Sequence, residues 1–162
     1  MSKRNPKGRT NHGPFLAIPR AVLNSPAWAA MTAHEVKLLL DVSAGYRGNN
    51  NGDLSAAWAL MKNRGWVSKE TLARALVGII EKGFVSLTRQ GGRGTCSLYA
   101  ITWAGIDPCD GKHDVRPWAV PSNTWRDWQP QKITAPPIGA SCPGSRGNAT
   151  AKVVQLPRQA GQ

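Results

Sequence analysis

The chain of 162 residues carries 21 Lys and Arg against nine Asp and Glu, a formal net charge of +12 at neutral pH with a pI near 10.4, and 41% of it is hydrophobic. That length suits one ordinary domain with some excess, and a balance this basic favours a polyanionic partner, with nucleic acid ahead of an anionic membrane surface, because neutralising phosphates releases condensed counterions. No run reaches the roughly 18 apolar residues that span a bilayer, no apolar segment follows the basic start as in a secretory signal, and Cys96, Cys109 and Cys142 form no CxxC pair, so a cytoplasmic, nucleoid-associated protein without membrane contact or disulfide framework is expected.

Residues 1–20 read as a flexible basic arm, since Lys3, Arg4, Lys7, Arg9 and Arg20 meet no acid and sit among prolines and glycines. Ile18–Ser25 allows one short helical turn with Pro19 at its first position, and Pro26 breaks it. The first clear helix runs from Thr32 to about Ser43. Thr32-Ala33-His34-Glu35 matches a capping box, and Val36, Leu39, Leu40 and Ser43 recur at the spacing of one buried face. Gly48–Gly52 is a turn. Asp53-Leu54 reads as a very short strand or the entry to a second helix over 55–64, capped by Asp53 or Ser55 and stopped by Gly65.

Ser68 caps a third helix, with Glu70 in its first turn and Lys82-Gly83 at its end. On a helical wheel Leu72, Leu76, Ile79 and Ile80 fall on the core side, while Glu70, Thr71, Arg74 and Gly78 fall on the open side, with Ser68 and Lys69 at the tip. Two alternating runs follow, Phe84–Arg89 and Cys96–Trp103, joined by the glycine-rich Gln90–Gly94.

Helix, turn, helix, short turn, helix and basic hairpin is the order of a winged helix-turn-helix, an α+β fold of three helices plus a C-terminal β-hairpin wing, here expected over 21–103. In that arrangement Ser68 and the first-turn amides hold a phosphate, Lys69 adds charge at the tip, Thr71 meets a thymine methyl or a phosphate, and Arg74 reaches a guanine edge. Arg93 at the hairpin tip, flanked by Arg89, reaches a minor groove or phosphate, and the arm residues Lys3, Arg4, Lys7 and Arg9 add nonspecific affinity. Glu70 is the awkward member: it repels phosphate unless it accepts from a cytosine amino group or pairs with Lys69 or Arg74.

Three stretches carry a family resemblance: Phe15–Pro19 with Ser25–Trp28, Gly45–Ser55, and Ile101–Asp107 with Gly111–Val115. Across about 14–128 the chain resembles the helix-turn-helix proteins encoded by prophages and plasmids of proteobacteria. The resemblance implies a winged-helix fold and a role in phage or plasmid replication or in gene regulation. It transfers no catalytic residues and does not extend over residues 129–162.

Residues 104–128 repeat Trp among prolines (Trp118, Trp125, Trp128, with Trp103 just before) and are expected to form an extended strap packing back on the domain, with a partner-docking surface and a single-strand stacking platform as alternatives. Residues 129–162 are expected to be a disordered tail. No cofactor and no metal are expected: Cys109 and His113 have no second tight ligand pair, and neither a phosphate loop nor HExxH occurs. No enzyme activity is expected either. The expected partner is double-stranded DNA, alongside a second copy in a homodimer or a replication or segregation protein. The competing functions are a protein-interaction module using the domain and strap, or a charge-driven nonspecific nucleic-acid binder.

Overall fold

Prolines and hydroxyl caps punctuate the start of the structure, a computed structural model that describes residues 15–130. Phe15–Pro19 has no regular structure, although Ile18 already packs against the core. Helix α1 (Arg20–Leu23) buries Val22, and α2 (Pro26–Ala29) starts at a proline with Ser25 Oγ accepting from the Trp28 amide at 3.1 Å. Thr32 and Glu35 form the capping box of α3 (Ala33–Ser43), and Ser68 Oγ accepts from the Thr71 amide to start α5 (Lys69–Glu81).

Between them α4 (Trp58–Asn63) is shorter than the sequence pattern suggests, and neither Asp53 nor Ser55 caps it. The reason is tertiary. Leu54 is held in an isolated antiparallel bridge to Tyr99, with N···O distances of 3.2 and 2.8 Å in the two directions, so the chain stays extended before turning into helix at Ala57. Strands β1 (Val85–Arg89) and β2 (Leu98–Ile101) form a two-stranded antiparallel sheet with Val85 opposite Ile101 and a bulge between Leu87 and Arg89. The class is α+β: helices against one small antiparallel sheet.

The long helices keep the expected period but are rotated from the expected phase. On α3 the buried stripe is Glu35, Leu38, Leu39, Val42 and Ser43, and Leu40 is exposed. On α5 it is Leu72, Ala75, Gly78 and Ile79, while Ile80 is 37% exposed and Leu76 half-buried. One contact explains both rotations. The Glu35 carboxylate lies on Gly78, where any Cβ would collide with it, and takes Lys82 Nζ at 2.9 Å and the Thr32 amide at 2.6 Å. Gly78 therefore faces α3 and not the open side.

The chain beyond β2 returns along the domain. Ile106 pairs with Trp118 in an isolated bridge, the Asp114 amide donates to Thr88, the Asn123 amide donates to Thr102, and Trp125 is buried. Gly83, at φ +74°, ends α5 where a side chain would strike the backbone of Thr124, and its carbonyl accepts from both Thr102 Oγ1 and Thr124 Oγ1. Residues 1–14 and 131–162, which include the basic arm and nearly all of the expected disordered tail, lie outside the described residues.

Asn51, read from the sequence as one of a run of turn residues, is fully buried. Its Nδ2 donates to the carbonyls of Ile101, Ala104 and Gly105 at 2.9, 3.1 and 2.7 Å, and its Oδ1 accepts from the Ile101 amide at 2.8 Å. Its own amide donates to Asp107 Oδ2, and its carbonyl accepts from the Asp107 amide. Removing one partner of a buried hydrogen bond leaves the other unsatisfied, at about 1–3 kcal/mol per group. Asn51→Ala is expected to lower unfolding free energy by at least about 3 kcal/mol in urea titration. Asn51→Asp is expected to cost more, since it keeps the acceptor but turns both amide hydrogens into a charge facing three carbonyls.

Burial pushes the Glu35 carboxyl up, but the Lys82 ammonium and the Thr32 cap outweigh it and hold the group below the usual carboxylate range. The unfolded chain therefore takes up this proton at a higher pH than the folded one. The stabilisation is complete above the ordinary carboxylate range and is lost as pH falls through the depressed value. Stability measured against pH is expected to fall on the acid side, and Glu35→Gln is expected to flatten that limb.

Candidate functional site

Ser68 fixes where α5 begins, and the α3 contact fixes which way it faces. Lys69, Glu70, Ala73, Arg74, Val77 and Glu81 are exposed, Thr71 is half-exposed, and Ser68 is partly covered while its hydroxyl is engaged as the cap. Ser68, Lys69, Thr71 and Arg74 thus share the first two turns of one helix. Arg74 lies at the edge of the exposed arc, where with Thr71, Ala75, Thr32, His34 and Glu35 it lines a cleft of about 350 Å³ between α5 and the start of α3. Lys69 Nζ sits 5.7 Å from the centre of the Trp58 ring, a cation–π distance that holds its ammonium beside the α4 end of the helix.

Two other cations nearby, Lys37 and Arg64, are committed. Asp41 takes Lys37 Nζ at 2.6 Å and Trp66 Nε1 at 2.8 Å, with Arg64 at 3.6 Å. Burial raises the Asp41 carboxyl, and these partners more than reverse that and hold it low. Among the described residues Lys69, Arg74 and Arg93 form no ion pair within the chain.

The turn joining β1 and β2 is closed by a bridge between Gly92 and Thr95, and Gly94 takes φ +79°. Arg93 stands exposed at its tip, and no hydrogen bond or ion pair links its side chain to α5. Arg89 is placed differently from the sequence reading. Its Nη1 donates to the Lys112 carbonyl at 2.7 Å and its Nη2 to the Cys96 carbonyl at 3.1 Å, so the guanidinium ties the strap to the hairpin. Lys3, Arg4, Lys7 and Arg9 lie outside the described residues.

Cys109 and His113 each approach a backbone carbonyl. Cys109 Sγ approaches the Asn51 carbonyl at 3.7 Å, and His113 Nε2 lies 2.7 Å from the Asp107 carbonyl. Burial, with Asp53 and Asp107 nearby, raises the Cys109 thiol. Among the described residues no helix is long and apolar enough to cross a membrane.

Sequence reasoning missed Ala73 and Val77, which share the outer stripe of α5, and Val67, almost fully exposed in the turn before it. The wheel contained Ala73 and Val77. What left them unassigned was choosing the core side by apolarity alone, when a glycine and a glutamate occupy the helix–helix contact.

Compared with protein-family models, curated proteins and solved structures, the chain matches none.

Arg89→Ala is expected to lower the thermal midpoint, because two backbone carbonyls lose their donor, whereas Arg93→Ala is expected to leave the melt unchanged. Parallel thermal denaturation of the two variants checks this.

Proposed function

We propose that this chain is a duplex-DNA-binding protein of the winged helix-turn-helix type, with α5 entering the major groove and the β1–β2 turn lying along the backbone or minor groove. The role that accompanies this reading is that of a transcriptional regulator or replication-associated factor of a phage- or plasmid-type mobile element. The mobile-element part rests on the sequence resemblance.

The observation that carries the reading is the Leu54–Tyr99 bridge. It sets an extended residue between α3 and α4 beside β2, so that the order helix, extended residue, helix, helix, hairpin closes into one sheet-backed unit. Among the described residues the outer face of α5 is left clear. On that face a capped N-terminus presents amides and Lys69 to phosphate, and among the described residues Arg74 has no ion-pair partner.

Charge placement supports the same reading. Thirteen of the 21 basic residues and all nine acidic ones fall within 15–130, while the remaining eight basic residues sit at the two ends with no acid among them. In this reading the ends supply salt-dependent affinity and α5 supplies discrimination.

Fluorescence-anisotropy titration of the purified protein against duplexes from upstream of its own gene and a scrambled duplex, at several salt concentrations, tests it. Tight binding to one fragment at moderate salt is expected, with Arg74→Ala costing about 1–3 kcal/mol and relaxing preference at one position. Equal binding to every duplex that collapses with salt would leave only a charge-driven binder.

Trp118 and Val120, both more than half exposed on the strap, favour a second reading as a protein-docking module. A stable complex with another protein, without duplex affinity at moderate salt, would select it.

A further inference from the structure

The outward stripe of α5 is apolar at its centre. Leu72, Ala75, Gly78 and Ile79 face the core, which puts Ala73 and Val77, four residues apart, on the opposite side, where Val77 is 53% exposed. Charges surround them: Lys69 and Glu70 toward the start, Arg74 alongside, and Glu81 one turn on. An apolar area of two small side chains ringed by charges is a poor centre for a protein interface, where charged groups are depleted. It matches something of methyl size set among hydrogen-bonding groups.

In the major groove of duplex DNA one such group exists, the C5-methyl of thymine. We propose that Val77, with Ala73 beside it, is a specificity-determining contact that reads a thymine methyl. The inference rests on the duplex-binding reading above. Arg74 precedes Val77 by three residues, about 4.5 Å along the helix, and base pairs stack about 3.4 Å apart. The thymine therefore lies within one or two base-pair steps of the guanine contacted by Arg74.

The test selects a preferred site from a random duplex library with the full native chain, then replaces each thymine in turn by deoxyuridine, which deletes only the methyl. At one thymine near the Arg74-dependent guanine, native protein is expected to lose about three- to fivefold in affinity, the scale of one buried methyl group. Val77→Ala is expected to shrink that uracil penalty, and Val67→Ala to leave it intact. Val77 is a partly exposed helix residue and alanine favours helix, so the fold tolerates the change; Val77→Thr, which keeps the shape and exchanges one methyl for a hydroxyl, serves as the second variant, and both are checked by thermal melt.

Uniform indifference to uracil, or a penalty that neither Val77 variant alters, overturns the inference and leaves duplex binding standing. A sedimentation dimer that Val77→Ala dissolves assigns the stripe to a second copy and overturns it as well. Failure of the native chain to bind any duplex overturns the duplex-binding reading itself, and the methyl contact with it.

Discussion

The buried side chain of Asn51 is the joint on which the rest of the structure turns. A primary amide offers two hydrogens and a carbonyl on one rigid plane, and here all of them are used, across 50 or more residues of sequence, to close the end of β2 and the first residues of the strap. Its backbone takes Asp107 on one side, and the next carbonyl, that of Gly52, accepts from Thr88 Oγ1 at 2.7 Å. Leu54, three residues on, is then delivered to Tyr99. A single loop thereby anchors both strands and the returning chain. Because buried polar groups are costly when unpaired, the sheet, the loop and the strap stand or fall together.

A second, charged joint sets the helices. Glu35, Lys82 and Gly78 meet between α3 and α5, and the close approach over a glycine gives the carboxylate room beside the helix backbone. Its consequence for function is a matter of rotation. Turning Gly78 inward turns Ala73 and Val77 outward, moves Arg74 toward the cleft with His34 and Thr32, and leaves Glu70 and Glu81 to offset Lys69 and Arg74 on the exposed face. The outer face of α5 is therefore nearly balanced in charge. In the proposed reading a helix of that kind contributes selectivity better than attraction, and two thirds of the net charge of this chain, +8 of +12, lies at its ends.

What the sequence made legible was local. Thr32 with Glu35, Ser68, and Gly83 after Lys82 mark helix ends through bonds within one turn, and each marks an end in the structure. The strand-like runs around Val85 and Tyr99 likewise contain the two strands, although β2 is buried at every position rather than alternating. The alternative of a very short extended stretch at Leu54 is also the one realised, at the expense of the cap expected at Asp53 or Ser55. What was illegible depended on partners distant in sequence. Leu40 and Ile80 looked buried because they are apolar, Glu35 was read only as a helix cap, and Gly78 looked outward because it carries no side chain. Only the Glu35–Lys82 pairing, 47 residues apart, reverses those assignments. Asn51 looked like its neighbours in a run of asparagines, and Arg89 looked like a free cation because its acceptors, the carbonyls of Cys96 and Lys112, carry no sequence signature.

The strap shows how the two joints separate stability from charge. Trp125 is buried and Trp128 packs on the core, while the carbonyl of Gly83 at the end of α5 holds hydroxyls from both Thr102 and Thr124. These anchors, like those of Asn51 to β2, are neutral amides, hydroxyls and carbonyls. Ionic strength screens separated surface charges over roughly 10 Å at 0.1 M but leaves short neutral hydrogen bonds in a buried site nearly untouched. In the proposed duplex-binding reading, salt that weakens attraction to the polyanion would thus act mainly on the basic ends and exposed cations. The orientation of α5 against the hairpin rests on buried apolar side chains and short hydrogen bonds, with the shielded Glu35–Lys82 pair as its one ionic member. In the duplex-binding reading proposed above, the charge that would gather the ligand and the geometry that would discriminate among ligands are carried by different residues and respond to different conditions.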